Sequence, residues 1–154
     1  MYFVSVTEEH FNGIVDLVPT PDELYRIYPS ATFPLDNAQL QKLMEMRKDL
    51  TVAIDANRVV AFANLYDVKQ NISAFIGNVV VASSHRRMGL GKTLISYMSD
   101  LCINKYNAQA HLSVFNFNTN ALILYTKLGF KPYAVEERIN LKNEVVALIH
   151  LKLG

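Results

Sequence analysis

The sequence predicts a mixed fold, α/β in content and α+β in element order, built as one domain over residues 1–154. Three observations predict it. Helical spacing dominates as far as about Glu45, whereas after Asp49 β-rich runs take over and enclose two further helical segments. The run Val79-Val80-Val81 has no room for polar alternation, which suits a central strand covered on both faces. Finally, 154 residues, 51% of them hydrophobic, are enough for one core. A domain of about that length hides roughly 70% of its unfolded-chain surface, so neither disulfides nor metal are needed to fold it.

The elements follow in order. Tyr2 to Val6 reads as a short strand. Thr7 caps a helix whose stripe is Phe11, Ile14, Val15 and Val18, ended by Pro19. Thr20-Pro21-Asp22-Glu23 sets a cap, an N1 proline and a capping-box glutamate before a helix that Pro29 keeps short. Asp36 with Gln39 starts a third helix that buries Leu40, Leu43 and Met44. Leu50 to Ile54 and Val59 to Tyr66 form a hairpin across Asp55-Ala56-Asn57-Arg58. Ala74 to Ala82 is a strand, Leu90 to about Tyr106 a helix, and Ala110 to Phe115 a strand. Asn118 to Leu128 is a helix closed by Gly129. Two last strands, about Tyr133 to Leu141 and Glu144 to Leu153, pair across Lys142-Asn143.

Composition excludes several function classes. The single cysteine, Cys102, forms no internal disulfide, lies on a buried helical face, and belongs to no zinc-like spacing, so no metal is expected. A net charge of +1 lacks the broad cationic field of a nucleic-acid binder. No basic leader opens the chain, and no stretch approaches the roughly 20 apolar residues of a membrane span. No membrane partner is expected, and the cytoplasm is the default compartment.

Chemistry concentrates between Val79 and Thr93. An apolar strand runs into a short polar loop, Gly89 and Gly91 follow, and a helix begins. Glycines there let backbone approach a ligand, and the free N–H groups of a first helical turn favour a phosphate or pyrophosphate. Arg86, Arg87 and Lys92 add cations. A Walker A loop would need glycine where Arg86 stands, and a dinucleotide fingerprint would need it at Leu94. Neither applies.

Arg86-x-x-Gly89-x-Gly91 after a strand resembles the acyl-CoA pyrophosphate loop of the GNAT superfamily of N-acetyltransferases. Downstream, Asn118-x-x-Ala121-x-x-Leu124-Tyr125-x-x-Leu128-Gly129-Phe130 resembles that superfamily's second signature. The resemblance covers roughly Thr51 to Lys131. It implies a mostly antiparallel mixed central sheet with one splayed pair of strands, flanked by about four helices. It also implies acetyl-CoA as co-substrate. Backbone at Val79, Val80 and Val81 would hold the pantetheine arm and polarise the thioester. The loop of Arg86, Arg87, Met88, Gly89, Leu90, Gly91 and Lys92 would hold the pyrophosphate, chiefly through backbone from Arg87 onward. Asn118 would meet the pantetheine, with Ala121 in the same cofactor-binding set, and Tyr125 would face the sulfur as catalytic residue. A phenol, with a pKa near 10, is a weaker acid than a thiol near 8.5, so Tyr125 helps by a hydrogen bond to developing charge.

The general base is open. Relatives often carry a glutamate on the strand before the loop, yet Ala74 to Ala82 holds no carboxylate, and Asn78 could only order a water. N-terminal alanine acetyltransferases of ribosomal proteins carry a glutamate five places before the motif asparagine, where this chain has Ser113. Asp67, His111 and Glu45 are the remaining candidates. For the acceptor, Tyr25, Tyr28, Phe33 and Pro34 form an aromatic, weakly charged wall suited to a small or partly apolar amine. The leading expectation is acetyl transfer to a small-molecule amine. A protein or peptide acetyltransferase and a non-catalytic acyl-CoA sensor are the alternatives, and a homodimer is compatible with either.

Overall fold

Seven strands in the computed structural model, which describes residues 1–154, form one sheet in the order β1-β2-β3-β4-β5-β7-β6. They are β1 (Tyr2–Ser5), β2 (Lys48–Asp55), β3 (Arg58–Lys69), β4 (Ser73–Val81), β5 (Gln109–Phe115), β6 (Phe130–Ile139) and β7 (Val145–Leu153). Five α-helices accompany them, one more than the family outline: α1 (Phe11–Val15), α2 (Pro21–Ile27), α3 (Asn37–Met46), α4 (Leu90–Tyr106) and α5 (Thr119–Lys127). No helix is long and apolar enough to cross a membrane.

Local chemistry sets most boundaries. Thr20 Oγ1 accepts from the Glu23 N–H at 3.2 Å, and Asp36 Oδ1 accepts from the Gln39 N–H at 3.0 Å, so both expected caps form. Ala56 and Asn57 take φ of 49° and 63°, the left-handed pair that a tight two-residue hairpin turn demands. The first helix is shorter than its stripe suggests. A 3₁₀ turn over Glu8–His10 precedes α1, and His10 Nδ1 accepts the Thr7 N–H at 2.9 Å. The first strand of the last hairpin is shifted towards the N-terminus: β6 starts at Phe130, directly after Gly129 (φ 97°) ends α5, and stops at Ile139, short of the expected Leu141.

Two apolar clusters clothe the sheet. One packs α4 and α5 against one face through Leu94, Ile95, Met98 and Tyr125. The other packs α1, α2 and α3 against the opposite face through Phe11, Leu24, Leu40 and Phe62. Val80 joins the second cluster, while Val79 and Val81 pack against the first, so the valine run is covered on both sides. Cys102 is fully buried on α4, and burial pushes its thiol up to about 11, which marks a core group.

Every strand pairing is antiparallel except β4–β5, whose parallel direction α4 makes possible as the crossover. That pair registers only from Ser73↔Gln109 to Ile76↔Leu112. Beyond Ile76 the two strands part. On the other side of β4, Asn64 opposes Gly77 and Phe62 opposes Val80, leaving Asn78 and Val79 opposite Ala63. This is a β-bulge, with Asn78 at φ 51°, and it bends β4 where the separation begins.

Leu94 sits fully buried where α4 crosses the sheet. Leu94→Ala should lower unfolding stability by about 2–5 kcal/mol, read from urea denaturation.

Candidate active site

Where β4 and β5 separate, a cavity of about 430 Å³ opens between Gly77, Asn78 and Val79 on one strand and Ser113 and Phe115 on the other. Asn118 and Tyr125, from the start and body of α5, also line it. Strand edges that lose a partner leave main-chain donors and acceptors to be satisfied by something else. One is already taken, since the Val81 carbonyl accepts from Arg86 Nε at 3.2 Å. Tyr25 of α2 closes over the opening: its ring stacks on Phe115 at 5.1 Å, and its hydroxyl donates to the Ile139 carbonyl at 3.0 Å.

The loop after β4 ends at Gly89, which has φ 82° and occupies the N-cap of α4. A side chain there would be strained by the left-handed backbone. Gly89 supplies no capping oxygen, and the N–H groups of Leu90, Gly91 and Lys92 meet no acceptor in the protein. An uncapped helix start is an anion site when charge is brought to it. Gly91 serves packing: a Cβ there would lie 3.2 Å from Leu124 Cδ2 of α5. Arg86 turns back toward Glu23 at 3.8 Å, whereas Arg87, exposed and at φ 63°, and Lys92 form no ion pair. Met88 is 70% exposed. Ala121 is half-buried against the α4 cluster.

Tyr125 is buried, and its hydroxyl has no hydrogen-bond partner within the protein. Burial pushes its phenol far above the ordinary range. The phenol is therefore neutral at physiological pH.

The acceptor side holds two networks that short sequence motifs do not reveal. In the first, Arg47, just past α3, reaches across the bulge. Its Nη1 donates to Asn78 Oδ1 at 2.7 Å and to Asn64 Oδ1 at 3.1 Å. Asn64 Nδ2 donates to Asn78 Oδ1 at 2.7 Å, and Asn78 Nδ2 donates to the Ile27 carbonyl at 2.7 Å. The Asn78 side-chain oxygen and one of its two amide N–H donors are thus engaged in holding the bulge. Burial lowers the Arg47 pKa, opposed by the nearby Tyr66 and Tyr28. In the second network, Ser113 Oγ lies 2.6 Å from His150 Nδ1, and His150 Nε2 lies 3.2 Å from Glu136 Oε1. Arg138 and His150 together hold the Glu136 carboxyl below its usual range.

The other expected candidates fall elsewhere. Asp67 and Glu45 are exposed and do not line the cleft. His111 packs on Phe75 at 4.7 Å and meets the Tyr133 hydroxyl at 2.9 Å, with its pKa lowered by burial. Tyr25 and Tyr28 do line the opening, but Phe33 and Pro34 are exposed in the loop before α3 and stay clear of it. Nor is the wall weakly charged: Arg26, Arg47 and Arg138 all border it.

Residues 18–130 match the Acetyltransferase (GNAT) family. The chain belongs to that family. Its fold is that of several solved structures over almost the whole length. The smu.2055 protein of Streptococcus mutans UA159 is 21% identical, with a TM-score of 0.82, covering 99% of this chain and 98% of the other. A ribosomal-protein-alanine N-acetyltransferase from Brucella melitensis is 15% identical, with a TM-score of 0.79 and coverages of 99% and 98%. The putative acetyltransferase yncA of Salmonella typhimurium, solved with its cofactor acetyl-CoA, is 16% identical, with a TM-score of 0.75 and coverages of 99% and 92%. No curated protein matches the chain. At these identities the structures establish the fold. Of the second signature, Asn118 and Tyr125 line the space where β4 and β5 part, while the first, Arg86 to Gly91, lies in the loop that leads from β4 into α4.

Two outcomes follow from this geometry. A Cβ at Gly77 would lie 2.4 Å from Arg47 Nη1 and 2.7 Å from the Tyr66 ring, so Gly77→Ala should lower stability by about 1–3 kcal/mol in chemical denaturation. Because the folded Glu136 pKa is depressed, its contribution to stability is present above the unfolded value and lost as pH falls through the folded one. Between about pH 5 and 3, Tm should therefore fall more steeply for wild type than for Glu136→Gln.

Proposed function

We propose that this GNAT protein transfers the acetyl group of acetyl-CoA directly to the primary amine of a small molecule, with the cytoplasm as its compartment. One observation carries the reading. β4 parts from β5 and leads through its loop to the uncapped start of α4, and Tyr125 lines the opening between the parted strands. Acetyl-CoA supplies an activated acetyl thioester there. Leu90, Gly91 and Lys92 N–H groups, with Arg87 and Lys92 side chains, hold the pyrophosphate. Backbone of Val79 to Val81, with Asn118, holds the pantetheine. The roof that Tyr25 makes across Phe115 and Ile139 favours a small acceptor over a protein chain, which needs an open groove.

The acceptor must first lose a proton. Freeing a lysine-like amine at neutral pH costs roughly 4–5 kcal/mol and an α-amine about 1. Ser113 stands on the cleft wall and passes that proton to His150, whose far nitrogen faces the Glu136 carboxylate. The order serine, imidazole, carboxylate fixes the orientation of the ring, as a base requires. The free amine attacks the thioester carbonyl, the C–N bond forms, and the C–S bond breaks. The sulfur leaves under a hydrogen bond from Tyr125, and the second amine proton departs to solvent as the amide forms.

A thiol-release assay with acetyl-CoA against amines, amino acids and peptides, run beside calorimetric CoA titration, tests the reading. CoA binding with turnover of small amines is expected, and no CoA binding overturns it. Tyr125→Phe should keep fold and CoA affinity while lowering kcat roughly 10- to 100-fold. His150→Gln should lower kcat/KM about 10²-fold at neutral pH while leaving CoA affinity unchanged.

A further inference from the structure

We infer that Arg47 is the acceptor-recognition residue of the cleft, and that it takes the carboxylate of an amino-acid-like substrate whose amine is acetylated. The inference rests on the acetyl-transfer reading and names its acceptor class. Arg47 borders the cleft half-buried, yet none of the ion pairs in the protein involves it. A guanidinium withdrawn from water without a counter-ion is costly, and a bound anion relieves that cost.

The donors that remain are the right ones. A guanidinium has five N–H donors in a planar fork. The two on Nη1 go to neutral oxygens of Asn64 and Asn78. Nε and Nη2, which together form a two-pronged edge matched to a carboxylate, have no partner in the protein. The group is also preorganised: its carbon sits 4.2 Å over the Tyr66 ring, and glycine at 77 leaves the room it occupies. Three donors held in place by stacking and two anchoring bonds lose little freedom when an anion arrives.

The surroundings agree in sign. Three arginines and no aspartate or glutamate are among the residues that line the cleft. Arg138 is already paired with Glu136 at 2.6 Å, and Arg26 lies toward Phe117 at 5.7 Å, so Arg47 is the deep unpaired cation. A polyamine would bring further positive charge against these groups with no carboxylate to receive it. An amino acid brings one carboxylate a few bonds from its amine. Arg47 and the Ser113 wall border the same cavity, so both ends of such a molecule find their partners in it.

The test uses the intact enzyme with acetyl-CoA and matched acceptors: free amino acids with aliphatic and aromatic side chains, the same compounds as C-terminal amides, and spermidine. Free acids should exceed their amides roughly 10- to 100-fold in kcat/KM, mostly through KM, with spermidine poorest. In Arg47→Met the acid value should fall to that of the amide, and Arg47→Lys should restore it only in part, because a point charge lacks the fork. Circular dichroism confirms that each variant is folded. Turnover with equal acids and amides, or with amides preferred, overturns the inference and leaves acetyl transfer standing. If no amine turns over, acetyl transfer fails instead, and titration of CoA-loaded wild type decides Arg47 separately. N-acetylglycine binding at least 10-fold tighter than N-acetylglycinamide supports the carboxylate site, and equal or absent binding overturns it.

Discussion

The parting of β4 from β5 is the constraint on which the site depends. Two parallel strands that stayed paired to their ends would fill the space that the catalytic reading requires. They separate after Ile76, and the reason is visible one strand over. The bulge at Asn78 and Val79 adds a residue against β3 and bends β4 where Gly77, Asn78 and Val79 line the opening. A bulge is tolerable only if its displaced polar groups are satisfied. Here Asn78 adopts left-handed backbone and ties itself to Asn64, Arg47 and the Ile27 carbonyl. The network that bends the strand therefore also fixes the end of α2 and the cation past α3.

Much of this architecture is legible in local chemistry. Caps at Thr20 and Asp36, the Ala56-Asn57 turn and the Gly129 helix stop depend on neighbours within a few residues, and each forms as expected. The loop from Arg86 to Lys92 is legible for the same reason, since it is contiguous and Gly89 stands at the uncapped start of α4. Helix length at the N-terminus is not. The stripe from Phe11 to Val18 satisfies the periodicity, but after Val15 the chain turns through Asp16 and Leu17, and Leu17 and Val18 reach the core from irregular backbone.

The acceptor side resists reading because its partners are distant along the chain and meet only through strand register. Ser113 and His150 face one another because β5 and β7 pair at those two residues, and no spacing rule links positions 37 apart. The available signal was the serine itself, standing where some relatives place a carboxylate, together with a histidine on the last apolar strand. The Arg47, Asn64 and Asn78 cluster draws on three elements in the same way. Each member alone looks like a solvated end or a polar exception in a strand. Aromatic content near α2 was visible, but its division between cleft (Tyr25, Tyr28) and exposed loop (Phe33, Pro34) follows from where that loop lies.

Charge shows most plainly how a whole-chain number hides a local design. With a net charge of +1, Asp and Glu nearly balance Lys and Arg over the molecule. Glu23 and Glu136 sit close enough to partner Arg86 and Arg138, and those two arginines are thereby partly neutralised. Arg87 and Lys92 beside the start of α4, and Arg47 beneath the acceptor cleft, are left without carboxylates. The first pair is exposed, so water screens it and its unpaired state costs little. Arg47 is half-buried and flanked by Tyr28 and Tyr66, where screening is weaker and an unpaired cation is less easily tolerated. Stability alone gives no reason to keep it, since a neutral side chain could donate to Asn78 without the desolvation. An anion that comes and goes with each turnover supplies that reason.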